Sequence, residues 1–165
     1  MTYEPSAGPS TSDAALADRI RVYREATELF LVVASALTEA DLDRTPAEPD
    51  GWTPRMVIHH VADSETNSYV RLRRLLAEPT GTTIQGYDEA QWARALHYDR
   101  PVALSLAVFQ AVRDSSAELL DLISADDLAR AGVHTDSGPY TLADWLDTYV
   151  AHARDHAEQI RAALG

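Results

Sequence analysis

Apolar residues recur along this chain at the spacing of a helix. From Asp13 onward, Leu16, Ile20, Tyr23, Ala26, Phe30, Val33 and Leu37 advance by three or four residues, with Asp, Arg and Glu between them. That period places the apolar residues on one face of a first amphipathic helix. A second begins at "WTPRM", where Thr53 suits the capping position and Pro54 the first helical one, and runs to about Ala77 before Pro79 and Gly81. A third extends from near Pro101 to Ile123 through Leu104, Val108, Ala111, Ser115, Leu119 and Leu122. The fourth starts at Thr141 and reaches the C-terminus through Leu142, Trp145, Tyr149, His152, His156, Ile160 and Ala163. No segment sustains the period-two alternation of a half-buried strand, so the pattern predicts an all-α four-helix bundle.

Two features shape that bundle. The stretch "AEPTGTTIQGYDEAQWARALHYDRP" between the second and third helices is too long for a hairpin turn. It predicts a crossover that lets its flanking helices run parallel, with "DEAQWAR" forming a short helix inside it. In addition, "LTEADLDR" at 37–44 echoes "ISADDLAR" at 123–130, each followed by an aromatic-Thr pair and a helix. Two related hairpins would produce this echo, and so would shared helix-start chemistry. Residues 1–12, rich in Pro, Ser, Gly and Thr, read as a flexible tail ahead of a single domain spanning 13–165.

Composition narrows the chemistry. The 165 residues include no Cys, which removes disulfides, thiolate nucleophiles and Cys-bound zinc and leaves His, Asp and Glu as metal ligands. Every basic residue is Arg and the net charge is -12, so a Schiff-base lysine is excluded and a nucleic-acid backbone would be repelled. No apolar run is long enough to span a membrane, and no basic-then-apolar leader opens the chain, which makes a cytoplasmic protein the expectation.

The chemistry concentrates in "DTYVAHARDHAEQI". His152 and His156 stand four apart, so one helical face can aim both rings at one point. They fall on what reads as the inward stripe of the fourth helix, where buried imidazoles need partners. A third ligand is expected from "VIHHVADSETNSYVRLR" on the second helix. His59 and His60 point about 100° apart, so at most one faces the same place. His60 continues into a polar line through Ser64, Asn67 and Arg71 beside the apolar Val61, Leu72 and Leu75, as a pocket wall would; His59 aligns with Met56, Asp63 and Thr66. His60 is therefore read as the third ligand of one divalent metal ion. Three neutral imidazoles leave an open position, which would acidify a bound water or hold a substrate thiol as its thiolate.

The segments "GWTPRMVIHHVADSETNSYVRLRRLL", "IQGYDEAQWA" and "YTLADWLDTYVAHARDHAEQI" resemble the DinB/YfiT-like superfamily of metalloenzymes over about residues 26–160. The resemblance implies a four-helix bundle with the long crossover, zinc or nickel on His60, His152 and His156, a homodimer, and hydrolysis of a small-molecule substrate. Some relatives are instead S-transferases that use bacillithiol or mycothiol as a low-molecular-weight thiol co-substrate. Nothing in it implies nucleic-acid binding.

The remaining candidates divide between functional and ordinary roles. Ser64 and Asn67 are expected to line the pocket, and Arg71 to meet an acidic substrate or a neighbouring carboxylate. His134 is a candidate acid or base at the site mouth, against the usual solvent-facing role of loop histidines. Asp63 reads as solvated rather than as a carboxylate orienting a ligand, and Tyr87 and Trp92 as pins for the crossover. No general base is evident near the histidine pair, since "HARDH" lacks the Glu of an HExxH motif, and this favours base-free thiol chemistry as the alternative to hydrolysis; an idle metal-binding module is the third.

Overall fold

Thr53 and Thr141 open the two helices that carry the histidines, and both do so by the same means. Each holds extended backbone while its hydroxyl accepts the amide hydrogen three residues on, from Met56 and Asp144 respectively. The computed structural model describes residues 11–45 and 51–165. In chain order the elements are α1 (Thr11–Ser35), α2 (Glu39–Leu42), α3 (Pro54–Ala77), β1 (Thr82–Ile84), α4 (Glu89–Ala95), α5 (Ala103–Leu120), a 3-10 turn (Ala125–Ala129), β2 (Ala131–His134), β3 (Gly138–Thr141) and α6 (Leu142–Leu164). Most of the expected tail lies outside the described residues, but its last two, Thr11 and Ser12, already belong to α1.

The four long helices form a ring in which α1 touches α6 and α5, and α3 touches α5 and α6. Bonded pairs fix their directions. His59 meets Ser105 and Arg73 meets Ser115, so α3 and α5 run parallel, as a long crossover allows. Arg19 in the first half of α1 meets Asp147 in the first half of α6, and Arg44, past the end of α1, meets the Leu164 carbonyl at the end of α6, so these also run parallel. His60 meets His152 while Ser68 meets Trp145, which makes α3 and α6 antiparallel. The crossover contains α4, whose Asp88 cap accepts from the Gln91 amide.

Two local matches to the echoed motif now have a physical account. Thr38 and Ser124 each form a reciprocal capping box, with Asp41 and Asp127 respectively. The turns that follow differ: the first is α-helical, and the second is a 3-10 turn leading into a β-hairpin. The small sheet, ordered β1-β2-β3 with β1 parallel and β3 antiparallel to β2, adds to the helical bundle an element that the periodicity did not predict. Its strands of three or four residues are too short to display alternation.

Two apolar clusters fill the bundle. One gathers Leu16, Ile20, Tyr23, Leu72, Leu120, Trp145 and Tyr149; the other gathers Ala26, Phe30, Val57, Val61, Phe109, Ala153 and Ile160. The inward face of α5 corrects the sequence reading by one residue. Ser105, Phe109, Arg113, Ser116 and Leu120 are buried, whereas Leu104, Val108 and Leu122 are exposed. The helix turns a charged residue inward because Arg113 finds Glu65 on α3 at 3.2 Å and bonds to carbonyls of both other helices. A buried charge is tolerated when it is paired and fully hydrogen-bonded.

Candidate metal centre

On α6 the buried stripe passes through Tyr149, Ala153, Ala157 and Ile160, not through His152 and His156. The two imidazoles sit one position to the side, half-buried, while the smallest apolar residues take the core positions. This corrects the expectation of a pair on the core stripe itself. On the flank, the rings point at a cavity of about 340 Å³ lined by Gly51, Trp52, His60, Glu89, His152, His156 and Gln159.

His60, at the second turn of α3, is buried and completes a triad with the pair. Its Nε2 lies 3.2 Å from the Nε2 of His152, which lies 3.2 Å from that of His156. A tetrahedral ion with metal–nitrogen bonds of about 2.0–2.1 Å holds its ligand nitrogens about 3.3 Å apart, so this spacing suits a single small divalent cation. The three nitrogens cannot satisfy one another, since a neutral imidazole offers one donor and one acceptor. Around the triad, Trp52 packs edge-on against His60 at 4.8 Å between ring centroids, and Gln159 Oε1 lies 2.7 Å from His156 Nδ1. The Nδ1 atoms of His60 and His152 are buried without a protein partner.

Electrostatics keeps the rings neutral, the state in which they ligate a metal. Burial and then the His156 ring push His60 down to about 4. Burial, followed by His156, His60 and Arg113, pushes His152 down to about 2. Burial also lowers His156, opposed by Gln159, Glu89 and Asp155.

His59, the adjacent candidate, faces elsewhere. Its Nδ1 lies 2.7 Å from Ser105 Oγ and its Nε2 2.9 Å from the Arg100 carbonyl, so it fastens the end of the crossover and the start of α5 to α3. The carbonyl can only accept, which places the ring hydrogen on Nε2 and makes Nδ1 the acceptor from Ser105. Asp63 accepts a hydrogen bond from Tyr98 Oη at 2.7 Å and holds the same segment. It is thus neither freely solvated nor a partner of the triad.

A second cavity, of about 170 Å³, adjoins the first through two shared walls, Glu89 and His152. Ser64, Arg71 and His134 line it, as does Tyr87, which stacks on Trp92 at 4.4 Å. Asn67 lines neither cavity; its amide donates to the Asp63 carbonyl one turn back on α3. His134 turns inward with its side chain 13% exposed, and its Nδ1 accepts from the Asp136 amide. Burial, with Arg71 second, lowers its basicity. The residue missed in the sequence is Glu89, the first residue of α4. It corrects the view that no carboxylate stands near the pair. Its only sequence signal was the cap at Asp88, which marks where a helix starts but not what that helix approaches.

Comparison with known proteins gives a consistent picture. The family model of the DinB superfamily matches residues 23–160. A protein of Oceanobacillus iheyensis named "Putative metal-dependent hydrolase" is 35% identical over 124 residues, covering 75% of this chain and 71% of its own length. A Bacillus cereus (strain AH820) protein named in the same words is 37% identical over 130 residues, 75% of each chain. Among solved structures, YfiT from Bacillus subtilis, described as "a probable metal-dependent hydrolase with an unusual four-helix bundle topology", matches with a TM-score of 0.82 at 31% identity, covering 98% of this chain and 91% of that one.

Proposed function

The chain belongs to the DinB superfamily, and from that premise we propose that it hydrolyses a small-molecule ester or amide at a divalent metal ion held by His60, His152 and His156. The observation that carries this reading is the convergence of three neutral imidazoles on an open cavity that Glu89 also lines. A zinc or nickel ion held there would supply Lewis acidity, polarising a carbonyl and making water a stronger acid. Glu89 is the proposed base: its carboxylate takes a proton from the attacking water as the water oxygen bonds to the carbonyl carbon, and gives that proton to the alcohol or amine as the carbon's bond to it breaks, leaving a carboxylic acid that loses its own proton to solvent. Trp52 walls the cavity beside His60 and limits water around that ring.

Thiol transfer was attractive while the site lacked a base, and Glu89 on the cavity wall removes that ground. Hydrolysis therefore comes first, with transfer to bacillithiol or mycothiol as the competing outcome. The proposed setting is a homodimer in the cytoplasm; among the described residues no helix is long and apolar enough to cross a membrane.

The test uses purified protein stripped with a chelator and reloaded with zinc or nickel. It is assayed on a panel of esters and amides, and then on an electrophile with each thiol. Metal-dependent ester or amide cleavage lost in His152→Ala supports the proposal. Turnover only with a thiol transfers the site to the other reaction, and stoichiometric metal with neither activity leaves a binding module.

A further inference from the structure

The smaller cavity has a cationic wall that the proposed hydrolysis does not use. We propose that it is the subsite for a carboxylate on the substrate, bound by Arg71 with Tyr87 as the second donor. This deepens the reading of the triad as a reaction centre, on which it depends only for the direction in which the substrate points.

Arg71 lies on the α3 line that begins with His60 and Ser64, so one helical face carries a triad histidine at one end and a guanidinium at the other. Two contacts clamp that guanidinium: Nη1 donates to Tyr149 Oη at 2.8 Å and Nη2 donates to the Gln85 carbonyl at 2.7 Å. Its Nε is buried without a partner. Of five N–H donors in a planar fork, the site therefore leaves donors uncommitted on a group that cannot lose its charge. No carboxylate pairs with it among the described residues, although the buried Arg55 and Arg113 both have such partners. The expectation of a plain salt bridge for Arg71 is thereby replaced by a cation bonded to one phenol and one carbonyl, with the cavity's carboxylates, Glu89 and Asp136, not paired to it.

The rest of the cavity suits an anion of limited size. The Tyr87 Oη, contributed by the crossover, is also buried and has only the Ser64 hydroxyl of the same lining as a neighbouring partner. A volume of about 170 Å³ admits a carboxylate with a few carbons and excludes a large headgroup. Asp136 and Glu89 stand at the rim, where exposure screens their repulsion; the Asp136 side chain is 71% exposed. The rim is held closed on one side because the Gly86 amide donates to Thr135 Oγ1, while the Asp136 carboxylate leaves no room for a Cβ on Gly86. Because His152 and Glu89 line both cavities, a carboxylate on Arg71 directs the remainder of the molecule toward the triad.

The experiment follows the Arg71 Nε–H resonance of the full chain while propionate, or its neutral isostere propionamide, is titrated in. It is run on metal-stripped protein, so that the carboxylate cannot report through an ion, and repeated with zinc. The expected result is a saturable shift of Arg71 Nε–H and of the Tyr87 ring with propionate, at least tenfold weaker with propionamide. Arg71→Gln should abolish the Tyr87 response. Tyr87→Phe, which removes only a hydroxyl, should weaken propionate severalfold and guards against misfolding of the Arg71 variant. Equal responses to both probes, or no saturable shift at Arg71, overturn the subsite. A propionate response in a protein that neither retains metal nor cleaves esters keeps the subsite and defeats the hydrolase reading alone.

Discussion

Arg113 and Glu65 form an ion pair at 3.2 Å with side chains 0% and 1% exposed, between the two apolar clusters. Arg113 also donates to the carbonyls of Tyr23 and Tyr149 and to Thr27 Oγ1, so one guanidinium on α5 links α1, α3 and α6. Burial raises the Glu65 carboxyl to about 7, and the Arg113 charge opposes that rise. Removing one partner strands the other charge, so Glu65→Met or Arg113→Met alone is expected to cost about 3–5 kcal/mol of stability. The double variant should lose much less than the sum. Urea unfolding of all four proteins checks this, and strict additivity would show that the two do not act as a pair.

Metal content distinguishes the two neighbouring histidines of α3. His60→Ala, His152→Ala and His156→Ala are each expected to drop bound zinc or nickel below stoichiometry after purification. His59→Ala should keep the metal and lose about 1–3 kcal/mol of stability, because the Ser105 hydroxyl is left buried without its partner. Retention of full metal by His60→Ala together with its loss in His59→Ala would place the centre on the other face of α3.

Glu89→Gln removes a base and keeps the shape. Its expected effect is a fall in kcat of about 10²- to 10⁴-fold with metal stoichiometry unchanged, the range for a positioned proton acceptor. An unaltered kcat would exclude Glu89 from proton transfer.

The start of α6 carries a pH signature independent of the metal. Asp144 accepts from Thr141 Oγ1 and the Thr141 amide, and these bonds hold its carboxyl below the ordinary 3.8. A carboxyl depressed on folding adds stability above its unfolded value, and that contribution disappears as pH falls through the folded value. The loss therefore belongs to the range below 3.8. Thr141→Ala should cost about 1 kcal/mol at neutral pH and move the Asp144 titration, followed by carbon NMR, back up. A titration that stays depressed in the variant would assign the shift to another partner.

Light scattering at micromolar concentration is expected to return a homodimer. The outward row of α5, with Leu104 80% and Val108 41% exposed, is an apolar face that a second copy would cover. Leu104→Glu should then give monomers with unchanged helix content, and a wild-type monomer would remove the dimer.

What the sequence determined by itself is what local geometry controls. Thr53-Pro54 and Thr141 mark helix starts because capping involves residues only three apart. The α1 stripe from Leu16 to Val33 and the pairing of His152 with His156 follow from the helical repeat alone, which is why the bundle and two of the three triad members were legible before any fold was known. His60 over His59 was also legible, because the polar line through Ser64 and Arg71 has a direction on one helix. Tertiary structure decided everything that depends on which element arrives from elsewhere. Periodicity fixes an angle around a helix axis to within one residue, and one residue separated the histidines from Ala153 and Ala157, and Leu104 from Ser105. Arg113 could be read as inward only once Glu65 was seen opposite it, since a charge is buried by virtue of its partner and not of its own chemistry. Glu89 lines the triad's cavity because a crossover of unpatterned sequence folds back beside it, and Arg71 pairs with no carboxylate among the described residues because its bonded partners, Tyr149 on α6 and Gln85 in the loop after β1, offer a phenol and a carbonyl. Such meetings are set by distance in space, and the one-dimensional pattern carries no measure of it.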